Sequence, residues 1–150
     1  MAITSSQLLR VSRQFKRYYE GCFASLLERE GLTMRDLHVL LFLTNHPDRN
    51  TARDVVELRG LPKSQVSGAV ELLAGRGLLE RLPDRADRRV VRLALTDSGA
   101  SLGREAREIQ TACGERVLAA LSASEAAQLQ TLLEKLSDHM EAQMQEGVPS

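Results

Sequence analysis

Apolar residues recur along the chain with two different periods, which predict six helices and one β-hairpin. The three-to-four-residue spacing of an amphipathic helix covers most of the chain. The predicted helices span residues 5–30, 33–46, 51–58, 62–75, 97–121 and 122–144. Two short apolar runs, Leu78-Leu79 and residues 90–95, flank a polar segment, as in a two-stranded hairpin. The pattern predicts a mainly α fold with a small β-hairpin, in the α+β class.

Polar residues mark where several of these helices begin. A Ser or Thr followed three residues later by an acidic residue, which is the capping-box pattern, occurs at Thr33, Thr51 and Ser122. Pro62 suits the first turn of the fourth helix. The side chains of the third helix that we expect to face inward are Ala52, Val55 and Val56.

The helix at 62–75 has one apolar face and one polar face. The inward stripe, at i, i+3, i+4 and i+7, consists of Val66, Ala69, Val70 and Leu73. The outward residues are Lys63, Ser64, Gln65, Ser67, Gly68 and Glu71. Because a short helix and a glycine turn precede it, the segment matches a helix-turn-helix, and the hairpin that follows makes it a winged helix.

In a winged helix, the N-terminal half of the second helix enters the major groove of DNA. Gln65 can hydrogen-bond an adenine edge through its amide group. Ser64 and Ser67 can contact bases or phosphates, and Lys63 is placed for a phosphate. The alternative interpretation is that these residues form an ordinary solvated first turn of a helix.

The polar tip of the hairpin carries Arg85, Arg88 and Arg89 together with Asp84 and Asp87. Arginines on a narrow hairpin suit the electronegative minor groove of DNA. A solvated charged loop is the alternative. The position of the tip, directly after a polar-faced helix, favours DNA.

The net charge of the chain is zero, but its charges are unevenly distributed. Residues 49–92 carry 10 basic and 6 acidic side chains, whereas residues 97–150 carry 4 and 9. The basic excess therefore lies on the segment that is predicted to face phosphates.

The remaining composition argues against several other classes of protein. A chain of 150 residues can form one domain with its own core. No apolar run approaches the roughly 20 residues that span a bilayer, so we expect no membrane association. Cys22 and Cys113 lack metal-ligand spacing, which fits a reducing cytoplasm. The three histidines also lack such spacing, and no nucleophile motif or glycine-rich phosphate loop occurs. We therefore expect no enzyme activity, metal or cofactor.

Several motifs, taken in order, resemble the MarR-type (multiple-antibiotic-resistance regulator) family of winged-helix transcription factors. The matching segments are Leu32-Thr33, residues 61–70, residues 76–81, Asp87-Arg88-Arg89 and Leu95-Thr96-Asp97-Ser98-Gly99. The resemblance covers roughly residues 5–145. It implies a single domain over 1–150, with a winged helix-turn-helix at about 33–95 between dimerisation helices at about 5–30 and 97–145.

The resemblance also implies how the protein works. Family members are obligate homodimers, so two wings and two recognition helices would bind a pseudo-palindromic site on double-stranded DNA. By the same resemblance, Arg89 enters the minor groove and Asp87 orients it, while Arg85 and Arg88 contact phosphates. Gly68 departs from the family, because many members carry a larger polar or basic residue there. Close approach of the helix to DNA would be one reason for this glycine, and a tolerated surface glycine is the alternative.

Family members commonly release DNA when a small phenolic or carboxylate ligand binds. The candidate ligand-binding residues are Phe15, Arg17, Tyr18, Tyr19, His38 and Phe42. For the aromatic residues the alternative is packing in the core or the dimer interface, and for His38 it is an ordinary half-buried histidine.

We therefore expect a homodimeric cytoplasmic regulator, a repressor of nearby genes that a small molecule releases from DNA. Two alternatives stay open. Cys22 suggests a redox-sensing regulator, although its position in an apolar stripe favours a structural thiol. The other alternative is a winged helix that binds a protein and not DNA.

Overall fold

A computed structural model describes residues 2–148 of the chain and contains helices and one hairpin. The elements are α1 (Ser5–Cys22), α2 (Ala24–Glu30), α3 (Met34–Asn45), α4 (Ala52–Asp54) with a π-helical turn (Val55–Arg59), α5 (Lys63–Gly75), β1 (Leu79–Pro83), β2 (Val91–Leu95), α6 (Asp97–Leu118) and α7 (Ala123–Glu146). The chain divides into two compact units at Cys113 and Gly114. The predicted α+β class is confirmed. The single domain predicted over 1–150 also includes Met1, Pro149 and Ser150, which lie outside the described residues.

The helix predicted at 5–30 is in fact two helices, because the chain bends at Phe23. The Phe23 N–H donates to the carbonyl oxygens of Glu20 and Gly21, which tightens the last turn of α1. The Phe23 side chain is wholly buried. Burial of this ring, two positions after the weak helix former Gly21, explains why the regular helix ends there.

The core of the first unit lies between α3 and α5. Seven of the twelve residues of α3 are buried. The stripe predicted on α5 is buried as well, at Val66, Ala69, Val70 and Leu73. Because α5 packs through this one face, its polar face is left open to solvent.

The inward face predicted for residues 51–58 is only partly correct. Val55 is buried and Val56 is half-buried, but Ala52 is exposed. The wider π-helical turn over Val55–Arg59 has more residues per turn than an α-helix. The three-to-four-residue spacing of an α-helix therefore does not bring Ala52 onto the same inward face as Val55 and Val56.

The predicted capping boxes are present at the starts of α4 and α7. At α4, the Thr51 N–H donates to Asp54 Oδ2 at 3.2 Å, and the Asp54 N–H donates to Thr51 Oγ1 at 3.1 Å. Ser122 and Glu125 form the same pair of bonds at α7. Pro62 differs from the prediction, because it precedes α5 as its N-cap and Lys63 is the first helical residue.

The predicted hairpin pairs β1 and β2 antiparallel, from Leu79 opposite Leu95 to Pro83 opposite Val91. Leu79 and Leu93 are buried and attach the sheet to the core. The loop that closes the hairpin is the polar tip, residues 84–90.

The start of α6 lies in very close contact with the start of the hairpin. The Thr96 hydroxyl donates to the carbonyl oxygen of Gly77 at 2.6 Å and accepts from the Gly99 N–H at 3.1 Å. A Cβ atom at Gly99 would lie 1.8 Å from the Leu78 carbonyl oxygen. Only glycine fits this approach, which gives a physical reason for the Leu-Thr-x-x-Gly pattern at 95–99.

Two helices expose apolar faces. Within α1 no residue is buried, and Leu8, Leu9 and Val11 are each more than half exposed. In the second unit, α7 also contains no buried residue. Its exposed apolar residues are Leu132, Leu133, Leu136, Met140 and Met144. Such large apolar faces indicate that a partner covers them.

We predict that Gly99→Ala destabilises the protein by about 1–3 kcal/mol or more, because the added methyl overlaps a backbone oxygen that cannot rotate away. Denaturant unfolding followed by circular dichroism measures this change. Gly75→Ala is the matched control, since nothing lies within 4 Å of a Cβ at that position. The control is expected to be as stable as the wild type or slightly more stable. Equal stability of the two variants would contradict the close approach.

Candidate nucleic-acid interface

The first turns of α5 present the polar residues that the sequence predicts for DNA recognition. Lys63, Ser64, Gln65 and Ser67 are all exposed. The helix starts directly after Pro62, whose carbonyl oxygen accepts the first helical hydrogen bond, from the Val66 N–H at 3.1 Å. The N-terminal end of α5 therefore points its polar side chains away from the core.

Gly68 lies on the same helix but is half-buried. The guanidinium of Arg35 from α3 occupies the space beside it, with Nη1 2.7 Å from where a Cβ atom would lie. Gly68 therefore does not face open space, and a side chain there would require the Arg35 guanidinium to move. Close approach to DNA is not needed to explain it, because contact with Arg35 already accounts for the missing side chain.

Asp84 organises the tip of the hairpin. Its Oδ2 accepts the N–H groups of Ala86 at 3.0 Å and Asp87 at 2.9 Å, and its Oδ1 accepts Arg92 Nε at 2.9 Å. The Arg92 bond, followed by the backbone N–H of Asp87, holds the pKa of Asp84 below its usual value. The carboxylate therefore stays ionised at neutral pH and fixes the turn.

Arg89 projects from this turn and is held by Asp87. The Asp87 Oδ1 atom accepts both the backbone N–H and Nε of Arg89, each at 3.1 Å. The Arg89 side chain is nevertheless 91% exposed. Arg85 and Arg88 are also exposed. The structure thus brings Asp87 and Arg89 together and leaves the charged end of Arg89 accessible.

A link between the wing and the helix-turn-helix was not predicted from the sequence. Arg92 Nη1 donates to Asn50 Oδ1 at 3.2 Å, and the Leu93 N–H donates to the Asn50 carbonyl oxygen at 2.7 Å. Asn50 directly precedes the N-cap of α4, so these bonds connect the tip, through Asp84, to the first helix of the motif. The signal in the sequence was the alternation of Arg92 with the apolar residues Val91 and Leu93. This alternation does not show that Asn50 is the hydrogen-bond partner of Arg92.

The predicted effector residues fall into separate environments. Tyr19 is half-buried, its ring is 5.9 Å from that of Phe15, and its hydroxyl accepts Gln110 Nε2 at 3.0 Å. Phe42 is buried and its ring stacks on His46 with centroids 4.5 Å apart. Arg17 and Tyr18 lie on the exposed side of α1. Phe42 is thus a core residue, as in the alternative interpretation.

Arg59, which the sequence did not single out, contacts His38 and places its charge near Tyr19. Arg59 Nη2 donates to His38 Nδ1 at 3.0 Å. Burial, and then the charge of Arg59, lowers the pKa of His38, so this ring is neutral at pH 7 and can accept. Burial raises the pKa of Tyr19, while the Gln110 hydrogen bond and the Arg59 charge oppose that change. Tyr19 and His38 are half-buried and Arg59 is exposed. Together they form a polar cluster, Tyr19–His38–Arg59, between α1, α3 and the π-helical turn.

Within residues 2–148, the cysteines and the other side chains that could bind a metal do not form a second site. Cys22 is half-buried and Cys113 is buried. Among residues 2–148, no group of three or more His, Cys, Asp or Glu side chains is arranged to hold a metal ion. In that same part of the chain, no helix combines the length and apolar content that crossing a membrane requires.

Comparison with known proteins identifies the same architecture. Residues 30–90 match the MarR family. The HTH-type transcriptional regulator BilQ of Clostridium symbiosum is 28% identical over 120 residues, which is 80% of this chain and 83% of BilQ.

Two solved structures are also similar. The MepR–DNA complex of S. aureus has a TM-score of 0.73 and 26% identity, over 92% of this chain and 99% of that one. BpsR of Bordetella bronchiseptica, whose DNA binding is regulated by 6-hydroxynicotinic acid, has a TM-score of 0.70 and 27% identity, over 87% and 98%. These similarities agree with the winged helix and its tip, and the chain is similar to the MarR family of winged-helix transcriptional regulators, with the family match itself covering residues 30–90.

Proposed function

We propose that this protein regulates transcription by binding double-stranded DNA through α5 and the hairpin tip, which is the wing. The observation that carries the proposal is the combination of an exposed polar face on α5 with an exposed Arg89 that Asp87 holds in place. Both lie on the segment with the basic excess. Binding to DNA is supported by the similarity to the MepR–DNA complex.

Each side chain has a distinct proposed contact. Gln65 contacts a base edge in the major groove, and Ser64 and Ser67 contact bases or phosphates beside it. Lys63 contacts a phosphate at the start of α5. In the wing, Arg89 enters the minor groove, while the other two arginines of the tip contact phosphates.

The partner that covers the exposed apolar faces is a second copy of the chain. An 18-residue helix without one buried residue, such as α1, gains little stability from packing within its own chain. The exposed leucines of α7 give the same argument for the second unit. The homodimer presents two recognition helices to a pseudo-palindromic operator. It acts in the cytoplasm, where we propose that it represses nearby genes.

The cluster Tyr19–His38–Arg59 is the proposed effector site. A carboxylate competes well with a neutral imidazole for the N–H groups of Arg59, because a hydrogen bond between two charged groups is stronger. Arg59 ends the first helix of the helix-turn-helix, so a ligand there acts on the DNA-binding motif. BpsR responds to 6-hydroxynicotinic acid, which combines a carboxylate with a hydroxylated ring, and this supports an aromatic acid here.

We predict that Arg89→Ala weakens binding to an operator duplex about 10-fold, mainly through the A·T-rich outer flanks where the minor groove is narrow. Fluorescence anisotropy with a labelled duplex from the region upstream of the gene measures the affinity. Arg29→Gln is the control, since Arg29 is an exposed arginine paired with Glu30 and Glu105 outside the proposed interface. Unchanged affinity of Arg89→Ala would show that the wing assignment is wrong.

We predict that 6-hydroxynicotinic acid or 4-hydroxybenzoate releases the wild-type protein from DNA, whereas Arg59→Gln stays bound. The variant loses the cation that attracts the carboxylate but keeps a hydrogen-bond donor. The same anisotropy titration measures release, with uncharged 4-hydroxybenzamide as the control ligand. Equal release of both proteins by an acid, or equal release by the acid and the amide, would contradict the proposed site.

A further inference from the structure

The start of α3 holds one arginine in a fixed position. Asp36 is fully buried, and its Oδ1 accepts Arg35 Nε at 3.1 Å and Nη2 at 2.9 Å. Its Oδ2 accepts the Thr33 N–H and hydroxyl, each at 2.9 Å. A buried carboxylate needs all of these donors, so the guanidinium of Arg35 is oriented by its neighbours and does not sample many rotamers.

The third nitrogen of this guanidinium lies against the recognition helix. Nη1 is 2.7 Å from the position of a Cβ atom at Gly68. Position 68 is one turn after Ser64 and about 200° around the helix from the buried Val66, so it belongs to the outward face. The Arg35 side chain remains 35% exposed. A cation from α3 therefore occupies the outward face of α5 where α5 itself has no side chain.

We propose that Arg35 contacts a DNA phosphate, and that Gly68 is a glycine because it makes room for this guanidinium. The proposal rests on the proposed DNA-binding function and adds a residue from α3 to it. Arg35 thus supplies from a neighbouring helix the polar group that residue 68 lacks. A phosphate is the expected target because an anchored guanidinium with remaining N–H groups suits its oxygens.

Two substitutions test the two halves of the proposal. Arg35→Gln removes the cation but keeps a donor beside Asp36. It is expected to weaken operator binding about 10-fold and to lower the slope of log affinity against log salt by about 0.9, the value for one lost phosphate contact. Gly68→Ala leaves the ion pair with Asp36 available but forces the guanidinium from its place. It is expected to weaken binding to a similar extent and to change the melting temperature little, because the helix propensity gained with alanine is offset by the disturbed hydrogen bonds between Arg35 and Asp36.

Gly75→Ala is the matched control for Gly68→Ala, because it adds the same methyl group to the same helix in open space. It is expected to leave operator affinity unchanged. The double variant Arg35→Gln/Gly68→Ala is expected to bind no more weakly than Arg35→Gln, because the methyl then displaces nothing.

Arg89→Ala separates the failure of this inference from the failure of the proposed function. If neither the wild type nor any variant binds duplex DNA, the proposed function itself is overturned, and if the wild type binds but Arg89→Ala has no effect, the wing assignment is wrong. If Arg89→Ala weakens binding but Arg35→Gln keeps the wild-type affinity and salt slope, only the role of Arg35 is overturned. The losses of affinity caused by Arg35→Gln and by Gly68→Ala could also multiply in the double variant. That result would show that the methyl group contacts DNA directly, and it would overturn the role given to Gly68.

Discussion

The buried carboxylate of Asp36 is the interaction on which the DNA-binding motif depends. It accepts hydrogen bonds from Thr33 and Arg35 and so fixes the first turn of α3. The rest of α3 supplies most of the core against which α5 packs. Because a buried charge is costly unless it is fully paired, this arrangement permits one position for the start of α3. The orientation of the recognition helix follows from that position.

The same principle recurs in the wing, where acidic residues position basic ones. Asp84 holds the turn and Arg92, and Asp87 holds Arg89. Exposed ion pairs of this kind add little to stability. Their value lies in placing guanidinium groups before DNA arrives, which reduces the entropy lost on binding. The zero net charge of the chain is therefore compatible with the proposed DNA binding, since Asp36 and Asp87 orient Arg35 and Arg89, two of the arginines proposed to contact DNA.

The sequence predicted those features that depend on near neighbours. The stripe on α5 and the capping pattern at Thr51 join residues within a few positions, and the hairpin joins two strands that are adjacent in sequence. The Asp87–Arg89 pair was implied by the family resemblance. The break at Phe23 and the exposure of Ala52 were not predicted, because burial of one ring and a π-helical turn override the helical period. Three contacts join segments that are distant in sequence: Gly68 with Arg35, Arg92 with Asn50, and Arg59 with His38. Local sequence patterns carry no information about such pairs, so only the structure identifies these partners. The placement of the DNA-contacting residues on DNA itself stays a prediction.

Selection of bound duplexes from a random pool tests most directly whether a homodimer binds DNA through α5 and the wing. The enriched sequences are expected to contain two inverted half-sites whose centres are about one helical turn apart, with A·T-rich outer flanks where the two Arg89 side chains enter. A pool that shows no enrichment after repeated rounds, or that yields a single half-site without symmetry, would contradict the homodimeric DNA-binding function.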